Sequence, residues 1–306
     1  MNGPNHRTQD SNRRSRLRGH IAMLVYAVLI AGSFSLGALA VPHLAPAALN
    51  AVRFVIATLI MGVLLARSLG GLPRVPNAPW RFAVVGALMA AYFVLMFIAL
   101  TLTGPISTGA VYTLTPLMAA VFGFFILRQS ASAIVITSLL VSATGAIIVI
   151  FRGDVHAILA FDVGKGELVY LVGCACLAAY APLARRLNQG ESVLEFTFWT
   201  FLACTSWIAL VSIPDAVSTD WLSLPLIVWF CIAYVSIFAT AISLFLLLYA
   251  SQSLPASKVF AYGYLTPSFV IIIEGLIGHG WPSLSIAIGA IVTVMGLVLL
   301  ALSPDR

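Results

Sequence analysis

Charge is scarce in this sequence. Of 306 residues only 8% are Asp, Glu, Lys or Arg, whereas 61% are hydrophobic. Soluble domains carry about 25% charged residues, so this chain cannot clothe a water-facing surface. A soluble enzyme or soluble binding module is thereby excluded. Cysteine is also sparse. Cys174, Cys176, Cys204 and Cys231 all fall in apolar segments, and Cys174-Ala-Cys176 has neither zinc nor thioredoxin spacing. They read as packed thiols. The histidines His6, His20, His43, His156 and His279 are scattered singly, so local spacing builds no metal site. HExxH, GxSxG and GxxxxGK[ST] are absent. An intramembrane metalloprotease or hydrolase therefore lacks its motif, an ATP-driven pump lacks its phosphate loop, and no cofactor is implied. No continuous polar stripe suggests a channel.

What the chain does have is hydrophobic runs, with a mean hydropathy of +1.06. A spanning helix takes about 20 apolar residues. Polar or Pro/Gly breaks divide the chain into spans at 20–41, 47–67, 81–103, 105–127 and 131–151, then 167–187, 192–213, 223–250, 255–278 and 284–302. In hydrocarbon the backbone must satisfy itself, which for runs of this length means helices. The fold expected is an all-α membrane protein of ten transmembrane helices. A basic tail (1–19) precedes the first five spans (20–151). An outer linker (152–166) joins them to the second five (167–302), and residues 303–306 form the end.

The formal charge of +6 does not point to nucleic acid, because Arg7, Arg13, Arg14, Arg16 and Arg18 crowd the N-terminus, where basic residues fix orientation. No basic, aromatic-bearing surface exists elsewhere. With that end cytoplasmic, Arg67, Arg74, Arg81, Arg128, Arg185, Arg186 and Arg306 also fall inside, and only Arg152 and Lys165 outside. This bias predicts an even number of spans, both termini cytoplasmic, in the cell inner membrane. The first run lacks a cleavage pattern and reads as a retained span.

The halves resemble each other. Leu114-Thr115-Pro116 recurs as Leu265-Thr266-Pro267, 151 residues later, and the same offset aligns Ala99 with Ala250, Ala110 with Ala261 and Gly145 with Gly296. Five is odd, so the second copy crosses the membrane in the opposite sense. Inverted repeats of this kind mark transporters, with the substrate near the midplane between the halves.

Several residues carry the similarity to a known family: the basic start, Gly32-Ser-Phe-Ser-Leu-Gly37 in span 1, Pro46 and Arg53 in span 2, and the proline-centred spans 4 and 9. The chain resembles the drug/metabolite transporter superfamily, EamA type, over about residues 20–302, and within it the YddG-type exporters of aromatic and other amino acids. The resemblance implies a secondary transporter that exports small amphipathic metabolites, amino acids foremost, by alternating access. Other metabolites or drugs are the alternative. Many relatives carry a glutamate about thirteen residues after the proline; here those positions hold Gln129 and Gly280, and the carboxylate of span 9 is Glu274. No feature sets an oligomeric state, and the partners implied are the lipid bilayer and a small-molecule substrate.

Candidate site residues follow from what is costly in a membrane. Pro116 and Pro267 each free the carbonyl four residues earlier. The kinks are either hinges beside a substrate or packed bends with the Thr115 and Thr266 hydroxyls filling the gap. A charge at a helix centre costs about 2.5–3.5 kcal/mol on insertion scales. Arg53 and Glu274 therefore pair, line one vestibule, or snorkel separately; Lys258 snorkels. Tyr92, Tyr112, Tyr262 and Trp199 offer stacking and cation–π surface to an ammonium-bearing solute, or else they pack the core. Trp80, Trp221 and Trp281 sit at span ends as interfacial anchors. Ser33 and Gly37 form a small-residue seam for close helix approach.

Overall fold

The computed structural model describes residues 6–71, 73, 75–128, 132–160, 163–251 and 262–301. Among them are eight helices long and apolar enough to cross a membrane: Arg16–Ala40, Pro46–Leu69, Trp80–Leu102, Pro105–Leu127, Ala133–Ile150, Lys165–Leu187, Val193–Ser218 and Leu226–Leu247. Two shorter apolar helices, Tyr262–Ile277 and Leu284–Leu299, complete spans 9 and 10. Lys258, Arg74 and Gln129 lie outside the described residues.

Local sequence sets the span ends. Pro46 and Pro105 open spans 2 and 4, where a missing N–H costs nothing. Ser132 and Ser192 cap spans 5 and 7 by accepting from the Val135 and Glu195 amides. Gly70, at φ 66°, stops span 2 in a left-handed turn.

The helices pack in an order that survives exchange of the two halves. Span 3 lies on span 6 as span 8 lies on span 1; span 4 lies on span 6 as span 9 lies on span 1. Spans 2 and 7, 4 and 9, and 5 and 10 pack on each other. Equivalent residues even touch. The Thr205 hydroxyl donates to the Phe54 carbonyl at 3.2 Å, and the Ser142 hydroxyl to the Thr293 carbonyl at 3.4 Å, each across a separation of 151 residues. Gly263 lies against the ring of Tyr112, again its equivalent. A residue meets its own counterpart only beside an axis relating the copies. The fold is two inverted five-helix repeats around such an axis.

Close approach at that axis requires small residues. A side chain on Gly145 would run into Thr293, and one on Gly296 into the Ser142 hydroxyl and the Ser138 carbonyl. The Ser138 hydroxyl in turn donates to the Gly296 carbonyl at 2.6 Å. The Ser33–Gly37 seam works differently: Gly37 admits the Phe97 ring, a side chain rather than a neighbouring backbone.

Arg81, counted with the basic residues of the inner side at the start of span 3, is 1% exposed. Its guanidinium meets Glu191 at 2.7 Å and donates to the Asn77 and Leu187 carbonyls at 2.8 and 2.5 Å. It thus clasps the turn before span 3 to the turn between spans 6 and 7. The hydrogen bond from Arg81 holds the Glu191 carboxyl below its usual range.

Two predictions follow from this packing. Gly296→Leu should lower the thermal unfolding midpoint of the detergent-purified protein, at a cost of about 1–3 kcal/mol from overpacking. Gly104→Ala, where a methyl group meets nothing, should leave it unchanged. Because the folded Glu191 pKa is depressed, its clasp contributes stability above the unfolded carboxylate's range and loses it as pH falls through the lowered value. The midpoint should drop on acidification in wild type, and Glu191→Gln should flatten that limb while lowering the midpoint at neutral pH.

Candidate functional site

Arg53 stands seven residues into span 2, roughly 10 Å along a helix rising about 1.5 Å per residue. It is 1% exposed and does not snorkel. Its Nε donates to Thr240 Oγ1 at 3.0 Å. Thr240 lies in a π-helical stretch of span 8, Tyr234–Ile242, and its hydroxyl donates to the Val235 carbonyl at 2.6 Å. Wide turns of this kind recur at functional sites. The guanidinium lies 4.3 Å from the centroid of the Phe93 ring, with Phe54 and Phe97 at 5.7 and 5.9 Å. Such cation–π contacts are worth about 2 kcal/mol or more once desolvated. One terminal nitrogen, Nη1, has no hydrogen-bond partner, and no carboxylate among the described residues forms an ion pair with Arg53.

One turn earlier, Asn50 gives its amide N–H₂ to the Pro46 and Phe93 carbonyls at 2.9 and 3.3 Å. That leaves its Oδ1 buried without a partner among the described residues. Asn50 and Arg53 share a helix face, three residues apart. A vacant acceptor and a vacant cationic donor thus lie beside Phe93.

Tyrosines extend the site. Tyr92 and Tyr170, both buried, bring their hydroxyls to 3.2 Å. Tyr92 also lies edge-on to Phe93 at 4.7 Å. Phe34 sits edge-on between Tyr170 at 6.0 Å and Tyr112 at 5.8 Å. The row runs across spans 2, 3, 6, 1 and 4, joining the two halves. In span 1, Gly32 makes room for the Tyr234 ring, whose hydroxyl donates to the Leu29 carbonyl at 3.1 Å.

The broken helices meet beside this row. Span 4 divides into Pro105–Tyr112 and Thr115–Leu127; span 9 enters through a tight turn, Tyr262–Leu265, before resuming at Thr266. Gly109 lies against Pro267 and Val270, and Gly263 against Tyr112. The Thr115 and Thr266 hydroxyls are buried without a hydrogen-bond partner among the described residues, so neither fills the gap its proline leaves. The Thr113 hydroxyl donates to the Ala110 carbonyl at 2.6 Å, not to that of Tyr112, which Pro116 frees.

The remaining candidates lie elsewhere. Glu274 pairs with His279 at 2.7 Å, so it does not pair with Arg53. Tyr262 meets His20 at 2.8 Å, toward the N-terminal side of the membrane. Trp199 packs on Phe198 and Phe82 and lines an apolar groove of about 380 Å³ with Val75, Pro76 and Pro79. Arg53, Tyr92 and Tyr112 are thus brought together, while Trp199, Tyr262 and Glu274 are not. Asn50, Tyr170, Phe93 and Thr240 join the site without having been singled out. Only Asn50 had a readable signal: a carboxamide one turn from a charge, inside a span.

Comparison with known proteins agrees with this architecture. The sequence profile of the EamA-like transporter family matches residues 17–151 and again 164–302. The chain is 22% identical over 281 residues to the "Uncharacterized transporter YyaM" of Bacillus subtilis (strain 168), covering 91% of this chain and 92% of that protein. A protein of known crystal structure, 20% identical, superposes with a TM-score of 0.65 over 95% of this chain and 97% of its own, which shows a shared fold.

Thr240→Val should remove the acceptor from Arg53 Nε and destabilise the protein by about 1.5–3 kcal/mol, the range for a hydrogen bond to a charged group. Thr240→Ser should retain most of the wild-type stability. Unfolding of purified protein in the same detergent measures both.

Proposed function

Because the chain belongs to the EamA-like transporter family, a family of multi-pass membrane transporters, we propose that it carries amino acids, binding them at Arg53 and Asn50. The observation that carries this reading is the buried Arg53 guanidinium, which has a free N–H and no carboxylate partner among the described residues. A charge in hydrocarbon is costly, so a substrate that brings its own carboxylate is favoured at Arg53 over one that does not. The vacant Asn50 Oδ1 on the same face accepts from an α-ammonium group. Tyr92, Tyr112 and Tyr170 give the side chain an aromatic surface, which fits aromatic and other neutral amino acids. A nucleotide or phosphate would call for clustered Arg and Lys, and one arginine is a poor match.

Arg53, Tyr92 and Tyr170 are 1%, 5% and 0% exposed, so a substrate reaches them only when the halves part. The breaks of spans 4 and 9, in contact across the pseudo-two-fold axis, are where we place the pivot of alternating access. The basic residues near the N-terminus, with an even number of spans, support cytoplasmic termini and an inner-membrane location. Resemblance to the YddG-type exporters supports the outward direction. The domain limits, 20–151 and 167–302 about a linker at 152–166, are the bodies that rock.

The test is counterflow of radiolabelled L-phenylalanine in liposomes, with unlabelled L-phenylalanine or phenethylamine as competitor. Wild type should prefer the carboxylate-bearing compound. Arg53→Lys should weaken it about 10–100-fold, since a charged hydrogen bond is worth about 1.5–3 kcal/mol and 1.4 kcal/mol is about tenfold. Competition by phenethylamine should be nearly unaffected, and Tyr112→Ala should weaken competition by both. Equal inhibition by the two competitors in wild type would overturn the assignment of Arg53 to the carboxylate.

A further inference from the structure

We propose that Glu274 and His279 form a proton-binding site that couples proton movement to transport. Transport itself rests on the family; the choice of amino acids as test substrate rests on the reading above. Pro267, Val270, Ile271 and Glu274 recur at helical spacing and are all buried, so they form one inward face of span 9. Val270 on that face packs against Gly109 of span 4. Glu274 is 5% exposed, and its Oε1 has no hydrogen-bond partner among the described residues. Its Oε2 meets Nδ1 of His279 at 2.7 Å.

The turn that ends span 9 creates this pair. Gly278, at φ 96°, takes a left-handed conformation that glycine tolerates freely. The His279 amide donates back to the Glu274 carbonyl at 3.1 Å. The imidazole is thereby folded over the helix end, with its side chain 50% exposed. One ring nitrogen touches the buried carboxylate while the ring reaches outward.

A proton can pass along this pair. Neutral His279 donates its Nδ1–H to the ionised Glu274. Nε2 takes a proton from solution and Nδ1 releases its own to Oε2, leaving neutral imidazole in the other tautomer and neutral carboxylic acid. Charge balances, and one proton has moved from water to an inward face. Histidine suits the step because one ring nitrogen can accept a proton while the other releases its own.

Few other charges interfere. The nearby stretch of span 1, Ala31–Ala40, carries no titratable residue, and His43 follows it in the turn. The packed half of span 4, Pro105–Tyr112, contributes Tyr112 only. Span 10, Leu284–Ala301, has none. Tyr262 and Tyr264 lie at the opposite end of span 9.

Two arms test the proposal. Infrared pH-difference spectra of the protein in lipid bilayers should show a protonated-carboxyl band that Glu274→Gln removes and His279→Gln shifts in pH. In liposomes an imposed pH difference should drive L-phenylalanine accumulation at least tenfold above equilibrium, with a trapped pH dye reporting proton movement. His279→Gln should abolish accumulation while leaving equilibrium exchange. Equal exchange with no response to pH in wild type would overturn the coupling while leaving the amino-acid assignment intact. Absence of exchange for any amino acid would count against that assignment instead, and the infrared arm then decides: identical spectra for wild type and Glu274→Gln overturn the site, and loss of the band upholds it.

Discussion

A guanidinium held in hydrocarbon has to be solvated by the protein, and the surroundings of Arg53 are arranged by that requirement. Thr240 supplies an acceptor, the Phe93 ring supplies its π face, and Phe54 and Phe97 close the sides. Each provision draws on another element. Thr240 lies in the π-helical stretch of span 8, Phe93 and Phe97 belong to span 3, and Gly37 of span 1 leaves room for Phe97. Satisfying one buried charge thus locks together helices from both repeats. The solvation is nevertheless incomplete, with Nη1 unpartnered, and that deficit connects packing to function.

The second constraint is the pseudo-two-fold axis. Contacts between residues and their own counterparts, Thr205 with Phe54, Ser142 with Thr293 and Gly263 with Tyr112, are possible only where the copies cross. Spans 5 and 10 form a seam of Gly, Ser and Thr, suited to a fixed pairing. Spans 4 and 9 cross at their breaks, where a proline has removed a backbone bond and less resists bending. A fixed seam and a bendable crossing on the same axis are what the proposed rocking of the two halves needs.

Much of this was legible in the sequence. Span positions follow from apolar runs, because the bilayer fixes their length, and the 151-residue offset follows from the two Thr-Pro pairs. Arg53, Tyr92 and Tyr112 stand out as polar or aromatic groups in apolar surroundings. The partners were not legible. Tyr170 looks like any tyrosine near a span end until span 6 lies against span 3. Thr240 acquires its role from a π-helical turn that no local motif announces. Arg81 reads as an inner-side cation at the start of span 3, yet tertiary folding buries it against Glu191. Trp199 and Tyr262 share the composition of site residues, but Trp199 faces the groove beside Phe82 and Tyr262 lies at the entry of span 9 against His20. Hydropathy gives depth in the membrane; it gives rotation about a helix axis only weakly, and site membership depends on rotation.

The most direct test of the central claim is a dipolar-coupling measurement by solid-state NMR, between L-phenylalanine labelled with ¹³C at its carboxyl and protein labelled with ¹⁵N in its arginine guanidinium groups. The account predicts dephasing of the bound carboxyl signal by a guanidinium nitrogen in wild type, lost in Arg53→Lys. A bound amino acid whose carboxyl signal shows no such dephasing, or shows it equally in Arg53→Lys, would contradict it.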